Sequence, residues 1–98
     1  MRASRGGGRT PAPGPLPAHG RRWVDGDGVH VDVRGLRPPE PMLAILAVVR
    51  AVRDDSPVIV HHDRDPRMLY PELAELGWEA TPIAAEPGEV RLRLSRLR

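Results

Sequence analysis

The 98-residue chain contains no cysteine, lysine or phenylalanine, and its aromatic residues are two tryptophans and one tyrosine. The absence of cysteine excludes disulfides, thiolate chemistry and zinc sites with cysteine ligands. The longest apolar run, residues 41–49, is shorter than the roughly 20 residues that cross a bilayer, so we expect no membrane contact. The N-terminus has arginines but no apolar segment typical of a secretory signal, and we therefore expect a cytoplasmic protein.

Charge is distributed unevenly along the chain. Residues 1–22 carry five arginines and no acid, whereas residues 23–98 carry ten arginines against thirteen acids, a net charge of −3. The first segment is rich in Gly, Pro and Ala and predicts a disordered leader, followed by one domain at residues 23–98. Because this domain is mildly acidic and poor in aromatics, its composition disfavours nucleic-acid binding.

Hydrophobic spacing predicts the element order β-α-β-α-β-β. Valines alternate with polar residues over 29–33, helical spacing follows over 42–52, and residues 58–60 form a β-branched run typical of a central strand. Asp65 and Pro66 are typical of the start of a second helix, and Gly77 of its end. Residues 78–84 and 90–94 predict two final strands, the first of them at an edge because of Pro82.

These elements predict an α+β fold, a two-layer sandwich with two helices on one face of a mixed four-stranded sheet. The first two strands should be parallel, since a helix connects them, and the last two should form an antiparallel hairpin. The face without helices is expected to expose four polar side chains to solvent, those of His30, Asp32, Arg91 and Arg93.

Residues 31–41 combine a strand, a glycine and a proline-rich helix start. With this segment, residues 29–97 resemble the TusA-like (SirA-like) superfamily. Its sulfur carriers have Asp-x-x-Gly-Leu followed by Cys-Pro-x-Pro, where the cysteine carries a persulfide. The matching positions here are Asp32, Gly35, Leu36, Pro39, Glu40 and Pro41. Pro38 stands at the position of the cysteine, so the resemblance implies the fold but not sulfur transfer.

An uncharacterised bacterial branch of this superfamily, the domain of unknown function numbered 2249, lacks the cysteine and is more similar. It pairs Asp-Val-Arg-x-Leu-x-Pro-Pro-Glu with a later Asp-Pro-Arg-x-Leu-Tyr, which are residues 32–40 and 65–70 of this chain. Members are sometimes fused to hemerythrin-like or other redox-associated domains. The resemblance implies a fold rather than a chemistry, since fold does not determine function.

Parallel strands end at the same edge of a sheet, and ligands of α/β proteins bind beyond such ends. The candidate ligand- or partner-binding residues at this edge are Arg34, Arg37, Glu40, His61, His62, Arg64, Asp65 and Arg67. Asp65 is expected to cap the second helix, and Arg67 to pair with Glu40 or Asp63 across the two loops. Alternatively, Arg64 and Arg67 bind an anion with the N-terminus of that helix.

The sequence His61-His62-Asp63 also matches the ligand types of divalent transition metals. Adjacent residues on a strand point to opposite faces, so the two imidazoles can meet one ion only beyond the strand end. We therefore expect no cofactor and no catalytic constellation. His61 and His62 are the candidate ligands if the domain binds metal or haem.

The first helix is apolar on nearly all sides, which is typical of a helix buried on more than one face. Leu43, Ala47 and Val48 are therefore predicted to contact a protein partner or a second copy of the chain. The sequence favours a non-catalytic adaptor that binds a protein partner or a small anion. The alternative is a redox-associated module that handles metal or haem through His61 and His62.

Overall fold

Strands in the order β1-β2-β3-β5-β4 build one mixed sheet in the computed structural model, which describes residues 20–97. The strands are β1 (Arg21–Asp25), β2 (Gly28–Asp32), β3 (Val58–His62), β4 (Trp78–Ile83) and β5 (Val90–Arg96). The helices are α1 (Glu40–Ala51) and α2 (Leu69–Glu75). Strands β2 and β3 are parallel and the other neighbouring pairs are antiparallel, which confirms the predicted α+β class.

The sheet has five strands because β1, absent from the prediction, pairs with β2. All five residues of β1 are exposed, so the strand has no apolar alternation that would reveal it. Asp25 lies opposite Gly28, which leaves Gly26 and Asp27 as a two-residue hairpin loop. Gly28 has φ +135°, and a Cβ there would collide with the carbonyl oxygen of Pro57. Residues 21–22 of the predicted leader thus belong to the sheet, and residues 1–19 lie outside the described part.

The hydrophobic core lies between the sheet and the two helices. Its largest fully buried members are Val31, Val33, Ile45, Val58, Val60, Leu69, Leu73, Leu92 and Leu94. Full burial of one such side chain stabilises the fold by about 1.5–3 kcal/mol. Val48 is also part of this core and only 2 % exposed, so its assignment to an external interface is wrong. Leu43, at 57 %, and Ala47 are exposed.

Helix α2 begins three residues later than predicted. Met68 occupies the N-cap position without a side-chain cap, so the assignment of Asp65 as the N-cap is wrong. The start at Leu69 places Pro71 in the first turn, where a missing N–H costs no helical hydrogen bond. Gly77, with φ +79°, follows the C-cap as predicted. Neither helix within residues 20–97 is long and apolar enough to span a membrane.

Candidate functional site

The loops that follow β2 and β3 meet at one edge of the sheet. The backbone N–H of Val33 donates to the carbonyl oxygen of His61 at 3.0 Å, continuing the parallel pairing beyond β2. Further along, the N–H of Gly35 donates to Asp63 Oδ2 at 3.1 Å and joins the two loops directly. The start of α1, with Arg37 and Glu40, follows the first loop, so both proline-rich motifs border the same edge.

A pocket of about 450 Å³ lies between these loops. This edge pocket is lined by Leu36, Pro38, Pro39, Pro41, Met42, His62, Arg64, Asp65, Pro66, Arg67, Met68 and Leu69. Its volume is within the range of small-molecule sites, roughly 300–1,000 Å³. Aliphatic and proline side chains, Pro38 among them, form most of its wall.

His62 is the buried polar group of the edge pocket and is only 3 % exposed. Its Nδ1 atom accepts the backbone N–H groups of Asp63, at 2.9 Å, and Arg64, at 3.3 Å. A backbone amide always carries its hydrogen, so Nδ1 is an acceptor although Asp63 Oδ1 also lies 3.1 Å away. The neutral ring therefore carries its hydrogen on Nε2, which has no hydrogen-bond partner among residues 20–97.

Two arginines line the same pocket with weakly engaged side chains. Arg64 and Arg67 are 67 % and 87 % exposed, and their carboxylate contacts, to Asp63 and Asp65, are long at 3.7 Å. The predicted pairing of Arg67 with Glu40 or Asp63 is wrong within the described residues, since Arg67 contacts Asp65 in its own loop. The bond between Gly35 and Asp63 joins the loops instead.

Asp65 has a second partner in the hydroxyl group of Tyr70, which donates to Oδ1 at 2.5 Å. Partial burial of the ring and this hydrogen bond together raise the pKa of Tyr70 to about 12. Tyr70 is therefore a partly buried, hydrogen-bonded ring, and it holds Asp65 at the rim of the pocket.

Of the predicted site residues, four do not line the pocket, namely Arg34, Arg37, Glu40 and His61. Arg34 turns away from it. Its guanidinium group binds both carboxylate oxygens of Asp32, at 3.0 and 2.8 Å. Burial opposes ionisation of Asp32, but the hydrogen bonds from Arg34 outweigh it and lower the pKa of that carboxyl group. The expected exposure of Asp32 and His30 is wrong, because they are only 2 % and 7 % exposed. Arg34 covers Asp32, and Trp23 of the unpredicted β1 stacks on His30.

His61 and His62 lie within β3, and their side chains leave the sheet on opposite faces. Whereas His62 lines the edge pocket, His61 packs beside His30 on the face without helices. The strand does not end between them, so the two imidazoles do not converge on one point. This geometry does not favour the alternative in which both hold one metal or haem.

Four polar groups form a hydrogen-bonded chain on the face without helices. Asp27 Oδ1 lies 2.6 Å from His30 Nε2, His30 Nδ1 lies 2.8 Å from His61 Nε2, and His61 Nδ1 lies 3.0 Å from Glu89 Oε2. Trp23 covers both rings, with its centroid 4.9 Å from that of His30 and 5.2 Å from that of His61. This histidine chain links the β1–β2 hairpin loop to the start of β5.

The three contacts of the histidine chain require one hydrogen each. The pKa of Glu89 is lowered to about 2, mainly by hydrogen bonds from Arg91, so its carboxylate is an acceptor. A hydrogen bond from His30 lowers the pKa of Asp27, whose carboxylate is an acceptor as well. Burial lowers the pKa of His61 and favours its neutral form. Two neutral imidazoles carry two N–H hydrogens for these three contacts.

Sequence reasoning did not assign a site role to Trp23, Asp27, His30 or Glu89. The sequence Asp-Gly-Asp-Gly at residues 25–28 could have indicated the hairpin that places Trp23, Asp27 and His30 together. Asp-Gly dipeptides are typical of two-residue hairpin loops. Glu89 has no comparable signal, because 28 residues separate it from His61.

Comparison with known proteins places the chain in a family. No curated protein matches it. A family model described as "Uncharacterized conserved protein (DUF2249)" matches residues 30–96. This match spans β2 to β5 and includes both sequence motifs, at residues 32–40 and 65–70. The chain therefore belongs to the DUF2249 family.

Proposed function

We propose that this domain is a non-catalytic, TusA-like binding module whose edge pocket recognises a group with an apolar body and one anionic end. The observation that carries the proposal is the buried ring of His62, which lines the apolar pocket and whose Nε2–H group has no partner among the described residues. A buried donor without a partner costs about 1–3 kcal/mol, which a ligand oxygen recovers on binding.

The charges around the pocket favour an anion. Arg64 and Arg67 can turn toward a ligand, because neither forms a close ion pair in the free protein. Their guanidinium groups bind carboxylates and phosphates with two parallel hydrogen bonds. Met68, 77 % exposed at the rim, offers apolar contact to the body of the ligand. A small carboxylate and the acidic terminus of a protein partner share this chemistry.

A carrier or catalytic role has less support at this pocket. None of the twelve lining residues has a hydroxyl, thiol or amino group that could act as a nucleophile. The order β2-α1-β3-α2-β4-β5 and the Asp-x-x-Gly-Leu motif before Pro-x-Pro support the TusA-like assignment. With proline in place of the carrier cysteine of the TusA-like proteins, Pro38 contributes part of the pocket wall rather than a reactive atom.

The test is a titration of ¹⁵N-labelled protein with hexanoate, and with hexanamide as the uncharged control. We expect amide shifts at Leu36, Met42, His62 and Met68 with hexanoate only. The double variant Arg64→Ala/Arg67→Ala should weaken binding at least about fivefold. Its matched control, Arg50→Ala/Arg53→Ala, removes two exposed arginines from the other end of α1 and should bind normally.

Met68→Glu adds a negative charge at the rim and should also weaken hexanoate binding. Because Met68 is exposed, this variant tests the pocket without disturbing the core. Shifts that map to another surface, or equal binding of hexanamide, would contradict the proposal.

A further inference from the structure

The β1–β2 hairpin loop brings together three side chains of metal-binding type. The ligand atoms of Asp25, Asp27 and His30 all lie within 4.8 Å of one another. Asp25 and Asp27 are exposed, whereas His30 is buried on β2 and presents Nε2 toward Asp27 at 2.6 Å. We propose that these three residues form a binding site for a divalent transition metal of the zinc type.

The ligand set and its dimensions suit such an ion. Imidazole nitrogens and carboxylate oxygens are both zinc ligands, at about 2.0–2.2 Å from the metal. Tetrahedral coordination at those distances places ligand atoms about 3.3 Å apart. The side chain of Asp27 is 63 % exposed and can rotate by the small amount needed to admit an ion. Three protein ligands leave further positions open to water.

The histidine chain supplies the support that metal-bound histidines require. A ligating histidine usually donates its other ring N–H to a carboxylate or another acceptor, which fixes the ring and its tautomer. Here His30 Nδ1 lies 2.8 Å from His61 Nε2, and His61 Nδ1 lies 3.0 Å from Glu89 Oε2. Trp23 stacks on His30 with an interplanar angle of 16° and holds the ring from above.

A metal on Nε2 also accounts for the hydrogen count. His30 then donates from Nδ1 to His61, which donates from its own Nδ1 to Glu89, and every contact has one hydrogen with both rings neutral. Arg93 borders the adjacent groove, but the two carboxylates at the site exceed its charge.

The test is titration of metal-free protein with Co²⁺, whose visible absorption reports its ligands, and with Zn²⁺ in competition. We expect one equivalent per chain. Asp25→Asn and Asp27→Asn change exposed side chains and should each weaken binding at least tenfold. Asp55→Asn, an exposed acid in another loop, is the matched control and should bind normally.

Glu89→Gln tests the positioning role of the histidine chain. Loss of such outer partners typically weakens metal affinity about 10- to 100-fold. In ¹⁵N spectra of the imidazoles, Zn²⁺ should shift Nε2 of His30 while Nδ1 keeps its hydrogen. This readout distinguishes coordination from a general loss of stability.

Three outcomes would overturn the proposal. They are the absence of saturable binding, binding unchanged in both Asp25→Asn and Asp27→Asn, and binding lost in His19→Ala instead. The last variant controls for the remaining histidine of the chain, which lies outside the described residues.

Discussion

Asp63 accepts the backbone N–H of Gly35 at 3.1 Å, and this bond joins the two loops that form the edge pocket. The first loop leads to α1 and the second to α2, so the bond sets the separation of the pocket walls. Partial burial opposes ionisation of Asp63, but the hydrogen bond from Gly35 and the nearby His62 ring together outweigh it and lower the pKa of the carboxyl group.

Removal of this bond should affect both stability and binding. We expect Asp63→Ala to lower the free energy of unfolding by about 1 kcal/mol, since the lost hydrogen bond is charged but partly exposed. Urea unfolding measures this change. Asp55→Ala is the control and should stay within about 0.5 kcal/mol of the parent. Equal losses in the two variants would contradict the bracing role of Asp63.

Because of Glu89, the free energy of unfolding should depend on pH in the acid range. The pKa of Glu89 is about 2 in the folded protein and 4.5 ordinarily, because Arg91 and His61 bind the ionised form. The ionised Glu89 carboxylate thus stabilises the folded state above pH 4.5, and this stabilisation is lost as the pH falls toward 2. Urea unfolding between pH 2 and 6 measures this loss, which Glu89→Gln should reduce. Glu79→Gln, an exposed change on β4, should leave the pH dependence unaltered.

Because of Tyr70, the free energy of unfolding should also depend on pH in the alkaline range, where it should fall as the pH rises. The pKa of Tyr70 rises from 10.0 to about 12 through burial and the bond to Asp65. The folded state therefore holds the phenolic hydrogen more tightly, and stability falls as the pH rises from 10 to 12. Tyr70 is the only tyrosine, so tyrosinate absorbance reports this group alone. Asp65→Asn should lower its pKa, and an unchanged titration would contradict the assigned bond.

The two sides of α1 should respond differently to truncation. Val48→Ala removes a core side chain that is 2 % exposed and should cost about 2 kcal/mol. Leu43→Ala changes a side chain that is 57 % exposed and should stay within about 0.5 kcal/mol. Chemical unfolding of both variants measures the contrast. Similar losses would contradict the burial of Val48.

A partner contact through Leu43 and Ala47 stays a prediction. Both side chains are exposed, so Leu43→Glu should abolish any self-association through this face without lowering the free energy of unfolding. Sedimentation velocity measures the association state, with Arg50→Glu as the control on the same helix. Self-association that persists in Leu43→Glu would exclude this face as the homodimer contact.

Several features follow from the sequence because they depend on neighbours along the chain. The alternation at residues 29–33 and the helical spacing at 42–52 predict β2 and α1 close to their observed bounds. A helix between two strands makes them parallel, so the meeting of the loops at Gly35 and Asp63 follows as well. The absence of cysteine excludes a cysteine persulfide on this chain whatever the fold.

Only the tertiary structure decides which side chains are buried together across long separations. His30 and His61 are 31 residues apart, and Glu89 is 28 residues beyond His61, yet the order β2-β3-β5 makes them neighbours. The alternation of apolar and polar residues along a strand shows which face of the sheet a side chain lies on. It does not show which other residues cover that face. Trp23 covers the two histidines although every residue of its strand is exposed. The hydrophobic pattern of β1 does not reveal this contact, because it depends on packing across neighbouring strands.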